Sequence, residues 1–577
     1  MTITLADNHI SKTIVVVSPD AGEPDQHAAA ELVYFLKQIT DADFEIAKHA
    51  AAGQPRILVG SHAARLADPE FSTVGLGDEG IIIRTTGGDL ILAVGAPRGT
   101  LYAVYSFLEN QLGCRWWSSK VNTIPKIATL KIEPLNFRYI PPLEYRELWW
   151  YDAFDKDWSV RNKCNGHKHQ LDATRGGRHQ FEGYVHTFYK LIPPEKFFAD
   201  HPEWFSEIDG SRTCGDHTSA QLCLTNQQMR RELTKVLTER LRANPQATIA
   251  SVSQRDWLEH GCQCAKCQTI DKEEGSPAGT LLRFVNAVAA DIEKEFPHVS
   301  ISTLAYTFTR TPPKITRPRP NVIVRLCTFE CSFSQPLTDP INKKFHDDLV
   351  AWSKICRRLY IWDYTTNFDH YLQPHPNLKV LGPNLKFFAD HHVKGVMEQG
   401  AYQAGGAEFA ELRAWVLAKL LWNPNLDGTR LVEEFANGYY GPAAEHVLDY
   451  LNTTHNAVET TRTALGIYAP PEINFLTLKT LCECWRHIIA AENSVYDQPD
   501  YLPRVQHCRL SILYVVIRRW DELRRQALEE GADWPWGDSA EQARAQFEQW
   551  ARSLNITRLN EWEKGFGPLI HGVRKKT

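Results

Sequence analysis

The sequence lacks the motifs that mark several large enzyme classes. It contains no P-loop, no Gly-rich dinucleotide fingerprint, no His-Glu-x-x-His zinc motif and no Gly-x-Ser-x-Gly nucleophile elbow. The first two motifs hold phosphates at a helix N-terminus, and the other two place a zinc ion or a serine for hydrolysis. Their absence excludes the usual NTPases, dinucleotide-dependent oxidoreductases, zincin proteases and α/β-hydrolases.

Strong charge of one sign and long apolar runs are also missing. The formal net charge is only -5 over 577 residues, and no basic run stands out, which excludes the electrostatic footprint of a nucleic-acid binder. No segment reaches the roughly 18 apolar residues of a membrane span, and the apolar run 14–17 is too short for a signal peptide. The 13 cysteines are odd in number and scattered, unlike a secreted disulfide framework. We therefore expect a soluble, cytoplasmic protein without nucleic-acid or membrane partners.

Aromatic residues, in contrast, are abundant. The chain has 17 Trp, 20 Tyr and 25 Phe against only 3 Met. Most of these rings are expected to fill hydrophobic cores. Because flat apolar ring faces also stack on sugars, some of them are candidates for a binding platform.

The order of predicted elements indicates an α/β fold in three parts. Residues 1–135 alternate strand and helix and predict a small α/β accessory domain with a mixed sheet. Residues 136–405 repeat β-then-α units, which predicts a (β/α)8 barrel of the TIM type. Residues 406–577 predict a helical C-terminal domain. The predicted barrel strands are 145–150, 221–224, 248–252, 300–306, 322–327, 359–362 and 395–397, with one further strand at 167–170 or 184–186.

Four carboxylates follow four of these predicted strands. They are Asp256, Glu330, Asp363 and Glu398, and each lies close to an aromatic residue. In a barrel of this type the working residues stand just beyond the carboxyl ends of the strands. Glycoside hydrolysis needs one carboxylic acid for the leaving oxygen and a second group that attacks or stabilises the anomeric carbon. The four carboxylates therefore predict a glycosidase site.

Other side chains at the same edge are candidates for substrate binding. His186, Trp257, Tyr306 and Trp362 offer hydroxyl bonding and ring stacking. For an α-glucuronidase-like substrate, Arg146, Arg255 or Arg325 is expected to hold the sugar carboxylate, because a guanidinium fork matches that shape.

A cysteine pattern suggests a structural metal. Cys262, Cys264 and Cys267 have spacings that let thiolates share one tetrahedral ion, with Cys223 or His260 as the fourth ligand. In a reducing compartment this pattern predicts a structural zinc; the alternative is a set of free or paired thiols. No cofactor is expected for catalysis.

A second metal hypothesis rests on histidines. His167 and His169 have the period-two spacing of one strand face, and with His179 or His186 they are candidate ligands of a catalytic metal. The loop-like flanks of this pair favour an ordinary polar loop instead.

Residues 96–109 and 112–116 resemble the auxiliary N-terminal domain of family 20 hexosaminidases and family 67 α-glucuronidases. The middle of the chain resembles the bacterial domain of unknown function numbered 4838. The matching stretches are GYVHT (183–187), HPEWF (201–205), LCLTN (222–226), VSQRD (252–256) with the cysteines after it, IWDY (361–364), GVMEQG (395–400), LWNP (421–424) and 435–441.

That domain includes glycoside hydrolase family 163, whose known activity is an endo-acting β-N-acetylglucosaminidase on complex N-glycans. The resemblance implies a barrel glycosidase acting on a β-linked N-acetylhexosamine, in which the substrate's own acetamido group can assist. We expect Glu398 or Glu330 as the general acid, and Asp256 and Asp363 to orient the acetamido group or stabilise the charged centre. The alternatives are an α-glucuronidase-like hydrolase, a metal-dependent barrel hydrolase and a non-catalytic carbohydrate-binding barrel.

Overall fold

The structure is a computed structural model that describes residues 2–48, 54–94, 97–215, 220–256 and 259–571. Over these ranges the chain forms N-terminal mixed sheets, a curled parallel sheet and a helical C-terminal region. None of the helices in these ranges is long and apolar enough to cross a membrane.

The N-terminal region is built on a six-stranded mixed sheet. Its elements are β1 (Ile3–Asp7), β2 (Ile10–Ser11), β3 (Ile14–Val17), α1 (Glu23–Thr40), β4 (Ile46–Ala47), β5 (Arg56–Val59), α2 (Ser61–Ala64), β6 (Ile81–Thr86), β7 (Asp89–Val94), α3 (Pro97–Asn110), β8 (Arg115–Trp116), β9 (Asn122–Thr123), β10 (Leu130–Ile132) and β11 (Asn136–Tyr139). The strand order is β11-β6-β7-β5-β3-β4, and a smaller sheet has the order β10-β1-β2. Gly87 and Gly88, both at positive φ, make the tight turn between β6 and β7.

The central region carries seven parallel strands in one curled sheet. Its elements are β12 (Tyr145–Trp149), α4 (Lys156–Arg161), β13 (Phe181–Glu182), α5 (Phe188–Leu191), α6 (Pro194–Phe197), β14 (Glu207–Ile208), β15 (Ser211–Arg212), α7 (Gln227–Ala243), β16 (Ile249–Ser251), α8 (Ala265–Glu274), α9 (Ala278–Ile292), β17 (Ser300–Ala305), β18 (Val322–Cys327), α10 (Lys343–Ser353), β19 (Leu359–Tyr364), α11 (Leu378–Asp390) and β20 (Gly395–Gln399). The order is β12-β20-β19-β18-β17-β16-β13. The sheet is compatible with a TIM-like barrel, with seven paired strands in the described residues where eight were predicted.

The gap between β12 and β13 is filled by side chains of the segment that connects them. Asn165 accepts a hydrogen bond from the N–H of Arg146 at 2.8 Å, and His169 Nε2 accepts one from the N–H of Leu148 at 3.1 Å. His167 Nδ1 accepts a bond of 3.2 Å from the first N–H of β13. These buried edge groups are thus paired without an eighth strand, as buried backbone groups must be.

Two sequence-based strand assignments differ from the structure. Residues 221–224 form only an isolated bridge, in which Leu222 pairs with Phe205. The apolar pattern there reflects burial of a connecting segment. Neither 167–170 nor 184–186 is a strand, because the paired residues of this part of the chain are those of β13.

The C-terminal region is helical, as predicted. Its helices are α12 (Ala410–Trp422), α13 (Gly428–Tyr440), α14 (Ala444–Thr461), α15 (Leu478–Ser494), α16 (Leu502–Arg518), α17 (Trp520–Glu530), α18 (Ala540–Ser553) and α19 (Pro568–His571). Helices α16 and α17 follow each other with only Arg519 between them. Helix α12 is buried on nearly every side, which explains its almost continuous apolar sequence.

Candidate active site

A cavity of about 340 Å³ opens at the carboxyl ends of the parallel strands. This is the edge where barrel enzymes place their working residues. The cavity is lined by Trp149, Val185, His186, Asp256, Leu304, Tyr306, Cys327, Phe329, Trp362, Tyr364, Phe368, Gln399, Tyr402, Tyr468, Glu561 and Trp562. The last three belong to the C-terminal region, so the helical region completes the cavity that the barrel begins.

Asp256 is the one predicted carboxylate that lines this cavity. It follows β16 and is exposed over 66% of its side chain. The hydroxyl of Tyr306 donates a hydrogen bond of 3.2 Å to Asp256 Oδ1, and His186 Nε2 lies 3.8 Å from the same oxygen. His186 Nδ1 contacts the carbonyl of Gln254 at 2.8 Å, which fixes the ring beside the carboxylate. Burial lowers the pKa of His186, although Asp256 acts in the opposite direction.

Glu561 is a second cavity carboxyl that the sequence did not indicate. It lies between α18 and α19, and its backbone N–H donates to the carbonyl of Phe368 at 2.9 Å. Burial raises the pKa of Glu561 to about 7, the negative charge of Asp256 contributes to the rise, and a hydrogen bond from Tyr402 opposes it. A carboxyl with this pKa keeps a proton near neutral pH, as a general acid requires.

Aromatic rings form the walls of the cavity. Trp149 stacks on Tyr184 with the centroids 5.1 Å apart and also contacts Tyr402 at 4.9 Å. The indole N–H of Trp562 donates to Asp369 Oδ1 at 2.6 Å, which fixes this ring in the cavity wall. Rings held in this way present flat apolar faces beside carboxyl groups, an arrangement that suits sugar rings.

Below the cavity, a charged network fills the barrel interior. Glu147 accepts hydrogen bonds from the hydroxyls of Tyr145 and Tyr184, and Arg325 donates to the Tyr184 hydroxyl at 2.9 Å. Burial acts to raise the pKa of Glu147, but His169 and these hydrogen bonds outweigh burial and lower it. Tyr145, Glu147 and Arg325 are fully buried, and the network supports the cavity floor.

Asp363 and Glu398 face away from the cavity. The register pairs Trp362 with Met397 and Asp363 with Glu398 on neighbouring strands. Successive side chains of a strand point to opposite faces, and Trp362 and Gln399 line the cavity. Asp363 and Glu398 therefore lie on the other face, behind the sheet, and the structure does not bring them to the two cavity carboxyls.

The pair behind the sheet is nonetheless strongly perturbed. Neither carboxyl oxygen of Glu398 has a hydrogen-bond partner within the described part of the chain. Burial raises the pKa of Glu398 well above its usual range, and Asp363 adds to this. Burial also raises the pKa of Asp363 to about 6, against hydrogen bonds from Thr328 and from the N–H of Tyr364.

The remaining predicted site residues are engaged elsewhere. Glu330 forms an ion pair with Arg310, which also binds Asp348, and it does not line the cavity. Arg146 lies on the outer face of β12, 2.6 Å from Glu79 of the N-terminal region. Arg255 packs over the ring of Tyr189 and donates to backbone carbonyls. Trp257 lies outside the described residues.

The histidines and the cysteines predicted as metal ligands have different surroundings in the structure. Both ring nitrogens of His169 are in hydrogen bonds, Nδ1 with the carbonyl of Ala153 at 2.8 Å and Nε2 with Leu148. Among the described residues, the group that could hold a metal consists of Cys223, Cys262, Cys264 and Cys267. The histidine pair therefore binds the edge strands β12 and β13, and His260 is not a member of the cysteine group.

Comparisons with known proteins agree with this architecture. The model of a domain of unknown function, DUF4838, matches residues 116–452. The structure of BtGH115A, a family GH115 4-O-methyl-α-glucuronidase with specificity for decorated arabinogalactans, aligns with a TM-score of 0.64 at 13% identity. The alignment covers 100% of this chain and 81% of that one, and it shows a shared fold.

Two further solved structures are similar at a lower level. CpGH84B aligns with a TM-score of 0.43 at 12% identity over 96% of this chain and 94% of that one. A GH138 enzyme targeting pectin rhamnogalacturonan II gives a TM-score of 0.48 at 10% identity over 98% of this chain and 96% of that one. Both scores are too low to indicate a shared fold. No curated protein matches the sequence.

Proposed function

We propose that this chain, which belongs to the DUF4838 family, is a glycoside hydrolase whose working groups are the carboxyls of Glu561 and Asp256. One observation carries the proposal. Two carboxyls from distant parts of the chain meet in an aromatic cavity at the carboxyl edge of the parallel sheet, and the pKa of one is raised to about 7.

The roles follow from the surroundings of the two groups. Glu561 holds a proton near neutral pH and donates it to the oxygen of the leaving sugar. Asp256, which accepts a hydrogen bond from Tyr306, stabilises the positive charge that develops at the anomeric carbon. On a 2-acetamido sugar the same carboxylate accepts the acetamido N–H, so that the acetamido oxygen is directed at that carbon.

The proposed substrate is a glycan with a β-linked N-acetylhexosamine. The resemblance to glycoside hydrolase family 163 supports this class, and the aromatic walls suit sugar rings in general. Because BtGH115A is a 4-O-methyl-α-glucuronidase, glucuronides are the alternative substrate class to compare with N-acetylhexosaminides. None of the three arginines considered for a carboxylate clamp, Arg146, Arg255 and Arg325, is among the residues that line the cavity.

The test is hydrolysis of a panel of aryl glycosides, glucuronides and N-glycan oligosaccharides by the wild type and by Glu561→Gln. Glu398→Gln serves as the matched control, because it removes a buried carboxyl that does not line the cavity. We expect turnover of N-acetylhexosaminides that Glu561→Gln loses and Glu398→Gln keeps. Binding of glycans without turnover by any folded form would favour the carbohydrate-binding barrel instead. Turnover restricted to glucuronides would contradict the proposed substrate.

A further inference from the structure

A cluster of four buried thiols lies beside the loop that carries Asp256. It consists of Cys223, Cys262, Cys264 and Cys267, and all four sulfur atoms lie within 4.8 Å of one another. We propose that this cluster binds one structural Zn²⁺ that fixes the Asp256 loop. The metal assignment is independent of the proposed function, and only its effect on Asp256 rests on that function.

The sulfur positions match a tetrahedral zinc site. Zinc binds thiolates at about 2.3 Å, which places the sulfurs of a tetrahedron about 3.8 Å apart. Cys223 Sγ and Cys264 Sγ are 3.7 Å apart. Two disulfides would instead draw the sulfurs into two bonded pairs at about 2.05 Å, whereas all four cysteines are free.

Groups around the cluster are arranged for negative charge on sulfur. Four thiolates around Zn²⁺ carry a net charge of about −2. The N–H of Glu207 lies 3.3 Å from Cys262 Sγ, and Arg212 Nη1 lies 3.6 Å from the same atom. Cys264 is the N-cap of α8, and the helix dipole favours an anion at that end. Hydrogen bonds to the ligands and a neighbouring cation are the outer-shell features that stabilise a metal–thiolate centre.

The metal would connect three separate parts of the chain. Cys223 follows the bridge between Leu222 and Phe205, Cys262 contacts the β14–β15 hairpin, and Cys267 belongs to α8. Asp256 lies six residues before Cys262 and five residues after the end of β16. The metal would thus fix Cys262, while β16 fixes the chain that leads to Asp256.

The first experiment measures metal content. The protein is produced with added Zn²⁺, dialysed against a weak chelator and analysed by mass spectrometry for metals. We expect about one zinc per wild-type chain, as one four-coordinate site requires, and strong loss in Cys264→Ser and Cys267→Ser. Cys214→Ser is the matched control, because Cys214 is close in sequence to Cys223 but outside the cluster, and it should keep the full content.

A second measurement decides the case if the serine variants fail to fold. Co²⁺ added to metal-free wild type should give the intense thiolate-to-metal absorption of a tetrahedral sulfur site, and Cys223→His should retain it in altered form. The proposal would be overturned if folded wild type contained no zinc and its four thiols either reacted freely with a thiol reagent or were found oxidised by mass spectrometry.

The role of the metal is tested by its removal. We expect a lower Tm and a loss of activity that returned zinc restores. If zinc content and stability are as predicted but no substrate is hydrolysed, the metal site is supported and the proposed function is rejected. Zinc removal that changes neither Tm nor protease sensitivity in 252–262 would overturn its structural role.

Discussion

The carboxyl pair in the cavity and the carboxyl pair behind the sheet differ in their access to solvent. Asp256 and Glu561 line an open cavity, whereas Asp363 and Glu398 are buried between the sheet and the surrounding helices. Both pairs contain a carboxyl whose pKa is raised by burial and by a neighbouring acid. A raised pKa alone therefore does not identify an acid catalyst, because the group must also reach the substrate. The following predictions test this difference.

The largest expected effect is the loss of the cavity acid. Glu561→Gln removes the proton donor, and we expect kcat/KM to fall by about 10² to 10⁴-fold, the usual contribution of general acid catalysis. In the wild type, activity should decline as the pH rises through about 7, because Glu561 then loses its proton. The variant should lose this limb of the pH profile. A variant that retains wild-type turnover and the same pH profile would reject Glu561 as the acid.

The second carboxyl of the cavity should give the next largest effect. Asp256→Asn removes the negative charge beside Tyr306, and we expect kcat to fall by about 10²-fold, the scale of losing one charge-stabilising group. The far-ultraviolet circular dichroism and the Tm should stay unchanged, because the side chain is largely exposed. Equal losses in kcat for activated and unactivated substrates would indicate a role in charge stabilisation. Loss of substrate binding alone would contradict that role.

Behind the sheet, a change in stability is expected in place of a change in catalysis. The folded pKa of Glu398 lies above its unfolded value, so its neutral form favours folding, and this contribution is lost as the pH rises above the unfolded pKa. Glu398→Gln cannot ionise. Its Tm should equal that of the wild type near pH 4, below the unfolded pKa, and exceed it at pH 8 by about 1 °C for each kcal/mol of stability that the wild type has lost. A Tm difference that does not depend on pH would show that folding does not raise the pKa of Glu398.

The smallest effect is expected for Glu330. This side chain is partly exposed and paired with Arg310, which keeps its second partner, Asp348. We expect Glu330→Gln to change stability by only about 1 kcal/mol, because an amide oxygen can still accept from the buried Arg310 and Asp348 still pairs with it. The substitution should leave kcat/KM within about twofold of wild type, since the residue lies outside the cavity. A loss as large as that of Glu561→Gln would restore the sequence-based assignment of Glu330 as the acid.

The sequence predicted which segments form strands better than it predicted which face of the sheet each side chain occupies. The sequence predicted six of the seven parallel strands, β12 and β16 to β20, because buried parallel strands are rich in apolar residues. The residues at which these strands end were predicted less well. Strands predicted to stop at Trp362 and Met397 continue to Tyr364 and Gln399. The two acids predicted to follow these strands therefore lie within them, and the alternation of side chains turns them away from the cavity.

The candidate site was predictable only where a short loop follows a strand. Asp256, His186 and Tyr306 meet in the cavity as expected, because parallel strands end at one edge of the sheet. Glu561 was missed because it is brought there by the packing of the C-terminal region, which no local pattern records. The acid-then-aromatic order of Glu561 and Trp562 repeats that of Asp256 and Asp363 among the predicted acids, and it is a weak signal.

The far C-terminal origin of Glu561 has a consequence for synthesis of the protein. A ribosome makes the barrel strands long before it reaches residues 561 and 562, so a nascent chain with a finished barrel still has a cavity without its acid and without one wall. Hydrolytic competence would then arise only after residues 561 and 562 have been made and have packed into the cavity. Premature termination between α18 and α19 would yield a barrel that presents Asp256 and most of the aromatic surface but has no proton donor.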